Sequence, residues 1–266
     1  MSDEIQISQA ASLASGNTQI GVQNNYNGIS VEKATRIITQ LFLDNFPKLA
    51  QKAAETAKQR ADELINRIMQ KIVENNIHDL SPFADPDVQY GFWEAQKDYA
   101  RLGKREMLDT LSSLLAKRIA FDRQEYIKIV IDRAIVAAKY LNQQQLDYLS
   151  LLFFCKCVTL KEIHTIGDLV KILDQLEKIY APCTYLGSSL LLSLGCLELN
   201  IGFISGILAT RYGFAEEDVK AHFPKKFESL DSDYGPSHVG IVLAITNMDN
   251  NPHNIFHFEL EEWLHF

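Results

Sequence analysis

From Ser30 to Tyr180 the apolar residues return every three or four positions, with charged residues in the places between. An α-helix, at 3.6 residues per turn, gathers such positions onto one face. This periodicity constrains the chain to a mainly α fold. Ser30 has the chemistry of an N-cap, and Glu32 follows in the first turn. Val31, Ala34, Ile37, Ile38, Leu41 and Phe42 then hold helical spacing. Pro47 interrupts that run and is expected to open a second helix at its first turn. The second helix, "PKLAQKAAETAKQRADELINRIMQKIVE", carries a narrow seam of Leu49, Ala53, Ala57, Leu64, Ile68 and Ile72. A seam this narrow suits one partner helix, within the chain or in another copy.

The clearest break is "NNIHDLSPFADPDV", with two prolines among turn-forming Asn and Asp. The expected division is a leader over residues 1–29, a helical arm over 30–76, a linker over 77–89 and a helical body over 90–266. Within the body, "YGFWEAQKDYARLG" reads as a helix that stops at Gly103. "KREMLDTLSSLLAKRIA" and "RQEYIKIVIDRAIVAAKYL" are amphipathic, with Met107, Leu111, Leu114, Ile127, Ile131, Ala134 and Ile135 inward. "QQLDYLSLLFFCKCV" is apolar on most faces and should be central. "TIGDLVKILDQLEKIY" opens with Thr165 and Asp168 at capping-box spacing.

The last third is punctuated by Gly187, Gly195, Gly202, Gly206 and Gly213, and minor β structure is an open alternative there. "AEEDVKAHF" reads as a short helix ended by Pro224, and "SHVGIVLAITNM" as a further helix. "IFHFELEEWLHF" fits helix and strand equally. One apolar run, Leu186 to Ala209, has the length to cross a bilayer. Glu198 and Asn200 stand at its middle, where charge is costly, and no basic flank marks a cytoplasmic side. A buried pair of core elements is the expectation, with a membrane-inserting segment as the rival.

With 47% hydrophobic and 23% charged residues, composition is that of a globular domain. The formal net charge is −8 and no Lys/Arg stripe stands out, which argues against a nucleic-acid partner. "MSDEIQIS" lacks the basic and apolar regions of a secretory signal. Four cysteines in 266 residues do not make a disulfide scaffold, so a cytoplasmic location is expected.

Little in the body carries chemistry. Cys155 and Cys157 form C-x-C, with Cys183 and Cys196 far apart, whereas zinc wants two close pairs. These read as buried thiols, and no metal or cofactor is expected. His238, His253, His257 and His265 cluster late without H-E-x-x-H. No G-x-S-x-G elbow, phosphate loop or G-x-G-x-x-G cradle is present. Tyr90, Phe92, Trp93 and Tyr99 admit two readings: packing, or a pocket in which Tyr90 and Trp93 stand beside Arg101.

The leader is different. Ile5 to Val31 contains no charged residue, and "TQIGVQNNY" combines β-branched, aromatic and amide side chains without proline. Such a segment can stack in register as a cross-β zipper, because each copy satisfies the backbone groups of its neighbours. Gln19, Gln23, Asn24 and Asn25 supply amide ladders. Ile20, Val22 and Tyr26 supply dry contacts. Gly21 permits close backbone approach. A charge would repeat at every rung, so its exclusion has a reason. The rival is a disordered polar tail.

In Gln19, Ile20, Gly21, Asn24 and Tyr26 the nonapeptide resembles the core of the RIP homotypic interaction motif. Thr18 stands where that motif usually has Ile or Val. The resemblance implies homotypic amyloid signalling, as in animal necroptosis and analogous microbial immunity. The longer arrangement, from Q-I-G-x-Q-N-N-Y through "SVEKATRIITQLFLDNFPKLAQKAAE" and "DPDVQYGFWEAQKDYARLG" to "SHVGIVLAITNM", is similar to a family of bacterial proteins. That similarity implies an architecture and a bacterial origin, and no activity.

The expectation is therefore a non-enzymatic interaction protein of bacterial immunity, such as antiphage defence, or of stress signalling. It would be a homo-oligomer, or would recruit a protein with a similar motif, through Thr18–Tyr26. Two other readings stand beside it: an effector acting on membranes through residues 186–209, and an enzyme with a pocket in the helical body.

Overall fold

A computed structural model describes residues 31–180, 188–230 and 233–264, with side chains from Ala50 onward except at Ser188, Lys226, Glu228 and Ser229. Helix α1 spans Val31–Glu74. It runs through Pro47 without a break, where two helices were expected. A proline ring removes one i→i−4 bond, but the Ala, Lys, Gln and Glu that follow are strong helix formers and carry the helix on. The contacts divide the chain inside this helix, between Thr56 and Ala57. The division expected at 77–89 thus falls earlier. Leu64, Ile68 and Ile72 are 1–4% exposed and belong to the body's core, whereas Ala53 of the same seam is exposed. Residues 77–89 hold a 3-10 turn, Ser81–Ala84, and the start of the next helix.

That helix, α2, covers Pro86–Leu102. Asp85 caps it by accepting from the Asp87 N–H, and Gly103 ends it in the left-handed region at φ 59°. Helices α3 (Arg105–Ala120) and α4 (Glu125–Ala138) pack against each other. Helix α5 (Gln143–Cys157) opens on a capping box between Asn142 and Gln145. Helix α6 (Ile166–Ile179) opens on the expected box between Thr165 and Asp168. Each box satisfies two N–H groups that the first turn leaves orphaned.

Beyond α6 come α7 (Ser188–Ser193), strand β1 (Leu197–Leu199), α8 (Ile204–Tyr212) and α9 (Glu216–His222). A 3-10 turn at Lys225–Leu230 leads to strand β2 (Tyr234–Pro236), then α10 (His238–Asn250) and the short α11 (Leu260–Trp263). The fold is mainly α, and among the described residues one antiparallel pair forms, in which Leu197 faces Pro236 and Leu199 faces Tyr234. "IFHFELEEWLHF" is helical only over α11 in its described part. Phe258 and Trp263 pack edge-on against Phe153 of α5.

The core is centred on α5 and α10, which pack on each other, while α10 also touches α3 and α4. Leu149, Leu152, Phe153 and Cys155 on one side and Val242 to Ile245 on the other are fully enclosed. The centrality expected of α5 is met. Among the described residues no helix is long and apolar enough to cross a membrane. The run from 186 to 209 is cut into α7, β1 and α8. Leu191, Cys196, Leu197, Ile204 and Leu208 are buried, as a core pair would be. Leu199, Ile201 and Phe203 are not: they are 69%, 77% and 67% exposed.

Candidate functional site

The self-assembly segment Thr18–Tyr26 lies outside the described residues, as does Cys183. What the structure describes is the root of the helix that follows the leader. Arg60 of α1 donates from Nη1 to the carbonyls of Ala100 and Arg101, both at 3.1 Å. These are last-turn carbonyls of α2, left without intrahelical partners and at the negative end of its dipole. Gly103 gives the guanidinium room, since a Cβ there would lie 2.3 Å from it. Glu63 accepts from the Tyr99 hydroxyl at 2.8 Å, and Arg67 reaches Asp109 of α3 at 2.6 Å. With Leu64, Ile68 and Ile72 buried below these contacts, the second half of α1 is fixed to α2 and α3.

Tyr99 makes that root sensitive to alkali. Burial, then the Glu63 carboxylate, pushes its phenol up to about 12 from 10.0. The raised value favours the neutral form in the folded state. Its stabilisation is whole below about 10 and is lost as pH rises towards 12. We expect Tyr99→Phe to cost about 1 kcal/mol at neutral pH for the lost hydrogen bond. Its melting temperature should then fall less between pH 10 and pH 11.5 than that of the unmodified chain. Parallel falls would show that Tyr99 does not report on the fold.

The three residues read as a pocket are spread over the outer side of α2. Tyr90 and Trp93 are 59% and 56% exposed, with ring centroids 5.9 Å apart. Lys97 sits 4.6 Å above the Trp93 ring. Arg101 turns to Asp98, which Lys139 also holds at 2.9 Å. The inward face of α2 is instead Val88, Ala95 and Tyr99, and positions 90, 93 and 101 fall away from it at helical spacing.

Two concavities lie elsewhere. One, of about 500 Å³, follows α1 and is lined by polar groups such as Asp62, Glu63 and Gln70. The other, of about 520 Å³, lies between α6 and residues 255–258, with Ile163, Ile172 and Phe256 against Lys171, Asp168 and His257. Asp168 already accepts from the Thr165 hydroxyl and N–H, and those bonds hold its carboxyl below the usual range.

The densest buried polar cluster joins α5 to α10. Asp147 accepts from Gln143 Nε2 at 2.7 Å and from Asn247 Nδ2 at 3.1 Å. Asn247 also donates to Ser150 Oγ at 3.0 Å. The Tyr180 hydroxyl is buried and has no hydrogen-bond partner among the described residues. Burial and the nearby Asp147 and Asp249 carboxylates raise its phenol above the ordinary range. Sequence reasoning missed this cluster, because its members stand about a hundred positions apart and no local spacing links them.

Two of the three described thiols are buried as expected, and Cys157 is only partly buried. Cys155 and Cys196 are buried, and burial pushes the Cys157 and Cys196 thiols up to about 11 and about 12. His238 faces the Tyr126 hydroxyl through Nδ1. His253 lies in the non-helical stretch after α10, so it does not share a helical face with His257.

A family model described as ":-like" matches residues 28–235. The match begins as the leader ends and stops just before α10. No curated protein and no solved structure matches the chain.

Proposed function

The chain belongs to the ":-like" family matched over residues 28–235, and within that family we propose for it a non-enzymatic interaction role. It signals in bacterial immunity or stress response by recruiting like copies, or a partner with the same motif, through Thr18–Tyr26. The observation that carries this reading is the sequence of the leader. An uncharged stretch from Ile5 to Val31 encloses T-Q-I-G-V-Q-N-N-Y, with apolar residues and amides at zipper spacing.

Two features of the described residues support it. Helix α1 starts at Val31, directly after the leader, and its second half is fixed to the body by Arg60, Glu63 and Arg67. A leader joined to such a helix gathers whenever bodies or helices associate, which raises its local concentration for stacking. Some acidic and basic groups of the body are also committed to caps and helix–helix ties. Arg118 and Asp168 are examples.

The test fuses residues 1–29 to a soluble reporter. The fusion is expected to form thioflavin-positive fibrils, and replacing Gln19, Ile20 and Gly21 together by Ala should abolish them. Fibrils that persist in the triple variant, or none from the unmodified leader, would sink the reading.

A further inference from the structure

Helix α4 is apolar on two sides. Its inner face, which includes Ile127, Val130, Ile131 and Ala134, is buried in the core. Its outer side carries Tyr126, Ile129, Arg133 and Val136 at steps of three, four and three, and Tyr140 continues the series just past the last turn. Tyr126 is 39% exposed, and Ile129, Val136 and Tyr140 are 47%, 55% and 53% exposed. A surface helix ordinarily turns its polar face to water. Here most of the charged residues lie between the two apolar sides and tie α4 to its neighbours. Lys128 pairs with Asp87 at 3.1 Å, Asp132 with Arg118 at 2.9 Å and Lys139 with Asp98 at 2.9 Å. The apolar residues outside are left in water, a cost with no return inside the chain.

Spacing selects the shape of the occupant. Steps of three and four residues keep positions 126 to 136 on one narrow line, about 15 Å long at 1.5 Å per residue. Such a line is the seam along which two helices pack side by side. An extended segment finds no free backbone groups there, because the helix bonds its own internally.

Charge selects the chemistry. Arg133 stands inside the seam, exposed, with Nη2 over Gly195, 3.1 Å from where a Cβ of that residue would lie. No carboxylate among the described residues pairs with it, Glu198 of the neighbouring β1 included, and it makes no hydrogen bond among them. Glu94 of α2 pairs with Lys97 instead, and Glu125 lies at the far start of α4. A wholly apolar helix laid on the seam would strand the guanidinium, whereas one with Asp or Glu at its middle would pair it.

The chain's own candidates lack that acid. Two copies of the seam overlapped along their length bring the two Arg133 side chains together, and like charges at an interface repel. Asp132 of either copy is already held by Arg118. The first half of α1 has the spacing, in Val31, Ala34, Ile38 and Leu41, but no acid on that line. The leader segment Thr18–Tyr26 has no charge at all. An anionic lipid surface is held by a polar face rich in cations, whereas this seam has Arg133 alone and the chain a net charge of −8.

We propose that the outer side of α4, centred on Ile129, Arg133 and Val136, binds an amphipathic helix of another protein. That helix carries Asp or Glu at the middle of its apolar seam, opposite Arg133. This goes beyond the leader reading and does not depend on it.

The test uses the full chain with Gln19, Ile20 and Gly21 replaced by Ala, so that leader assembly cannot contribute. The probes are three labelled peptides, stapled into helices and read by fluorescence anisotropy. Each repeats Leu at steps of three and four, with the central Leu replaced by Glu in the first, by Lys in the second and kept in the third. The Glu peptide is expected to bind at least 10-fold more tightly than either of the others. Ile129→Gln with Val136→Gln should weaken it at least 10-fold. Arg133→Gln should remove the preference, and Arg133→Glu should shift it to the Lys peptide. Trp93→Ala, on the outer side of α2, should leave binding within 2-fold. All these positions are exposed, so unchanged melting curves will show that the variants fold. Equal binding of the three peptides, no binding of any, or indifference to the α4 variants overturns the proposal. A loss with Trp93→Ala as large as that of the α4 variants overturns it too, as adhesion to any exposed apolar residue. So does an Ile129-dependent dimer in sedimentation, which would make a second copy the occupant. Ile129-dependent binding to phosphatidylcholine–phosphatidylglycerol vesicles would make the occupant lipid and overturn it equally.

Discussion

Gly240→Ala is expected to destabilise the chain by roughly 3 kcal/mol, the upper end for overpacking of a tight interior. Helix propensity alone gives the opposite sign, since Ala is better than Gly inside a helix by about 1 kcal/mol. Packing decides. Gly240 lies in the first turn of α10, and a Cβ there would stand 2.1 Å from the Cys196 carbonyl oxygen and 3.2 Å from Pro236. The oxygen belongs to backbone that is itself fixed, because it accepts from the Ser237 N–H at 3.0 Å. Ser237 in turn caps α10 through Gly240 N and donates to the Gly195 carbonyl. Nothing flexible can give way, so β1 and α10 must separate at the point where α10 enters the core. At roughly 2–4 °C per kcal/mol for a domain of this size, the melting temperature should fall by about 6–12 °C. Gly91→Ala in α2 is the control. A Cβ there meets nothing within 4 Å, so propensity acts unopposed and that variant should be more stable by roughly 0.5–1 kcal/mol. If both substitutions move stability in the same direction, the close approach of α10 to β1 is wrong.

The same contrast explains what was legible in the sequence. Local chemistry was readable: Thr165 and Asp168 form their box, Gly103 ends α2 in the left-handed region, and α5, apolar on most faces, lies at the centre. These features act within one turn, and a turn is what spacing reports. Pro47 misled because the residues after it outweigh one missing bond. The run from Leu186 to Ala209 misled differently. Hydropathy says that burial would be favourable, not that it occurs, and Gly202 with the Asn200 bonds turns Leu199, Ile201 and Phe203 outward. Strands of three residues, such as β1 and β2, are too short to establish a period. Nothing local announced Gly240 either, because its constraint comes from Cys196, far back in the chain. The polar cluster around Asp147 and the root contacts of α1 share that origin. They join residues tens of positions apart, and one sequence carries no record of such pairings.

Arg118 is the second position where a large effect is expected, and here charge, not volume, is at stake. Its side chain is 3% exposed and makes three separate ties: Nη2 to Asp87 of α2 at 2.8 Å, Nη1 to Asp122 at 2.6 Å, and Nε to Asp132 of α4 at 2.9 Å. Burial opposes the guanidinium's charge, and Asp122 and Asp132 more than offset it. Arg118→Met fills much of the volume but leaves three carboxylates without their shared cation. Breaking a buried ion pair from one side costs about 3–5 kcal/mol. Asp87 and Asp132 keep 58% and 42% of their side-chain exposure, so water relieves part of the loss and the lower end, about 3 kcal/mol, is expected. Arg118→Lys restores one positive charge but not three donors in fixed directions, and should recover less than half of that loss.

The pH dependence separates charge from packing. Hydrogen bonding from Lys128, then the Lys128 and Arg118 charges, holds the Asp87 carboxyl below its usual 3.8. Its stabilisation is present above that value and is lost as pH falls through the depressed one. Burial already raises the Asp132 carboxyl above 3.8, although Arg118 opposes the shift. Without Arg118 it rises further, so the variant carries a penalty at neutral pH that protonation relieves in acid. Between pH 7 and pH 4 acid therefore relieves the variant more than the unmodified chain. The stability gap between them, measured by urea denaturation, should narrow steadily from pH 7 to pH 4. A gap that stays constant over that range would mean that Arg118 acts through its methylenes and shape, and that the three carboxylates are satisfied without it.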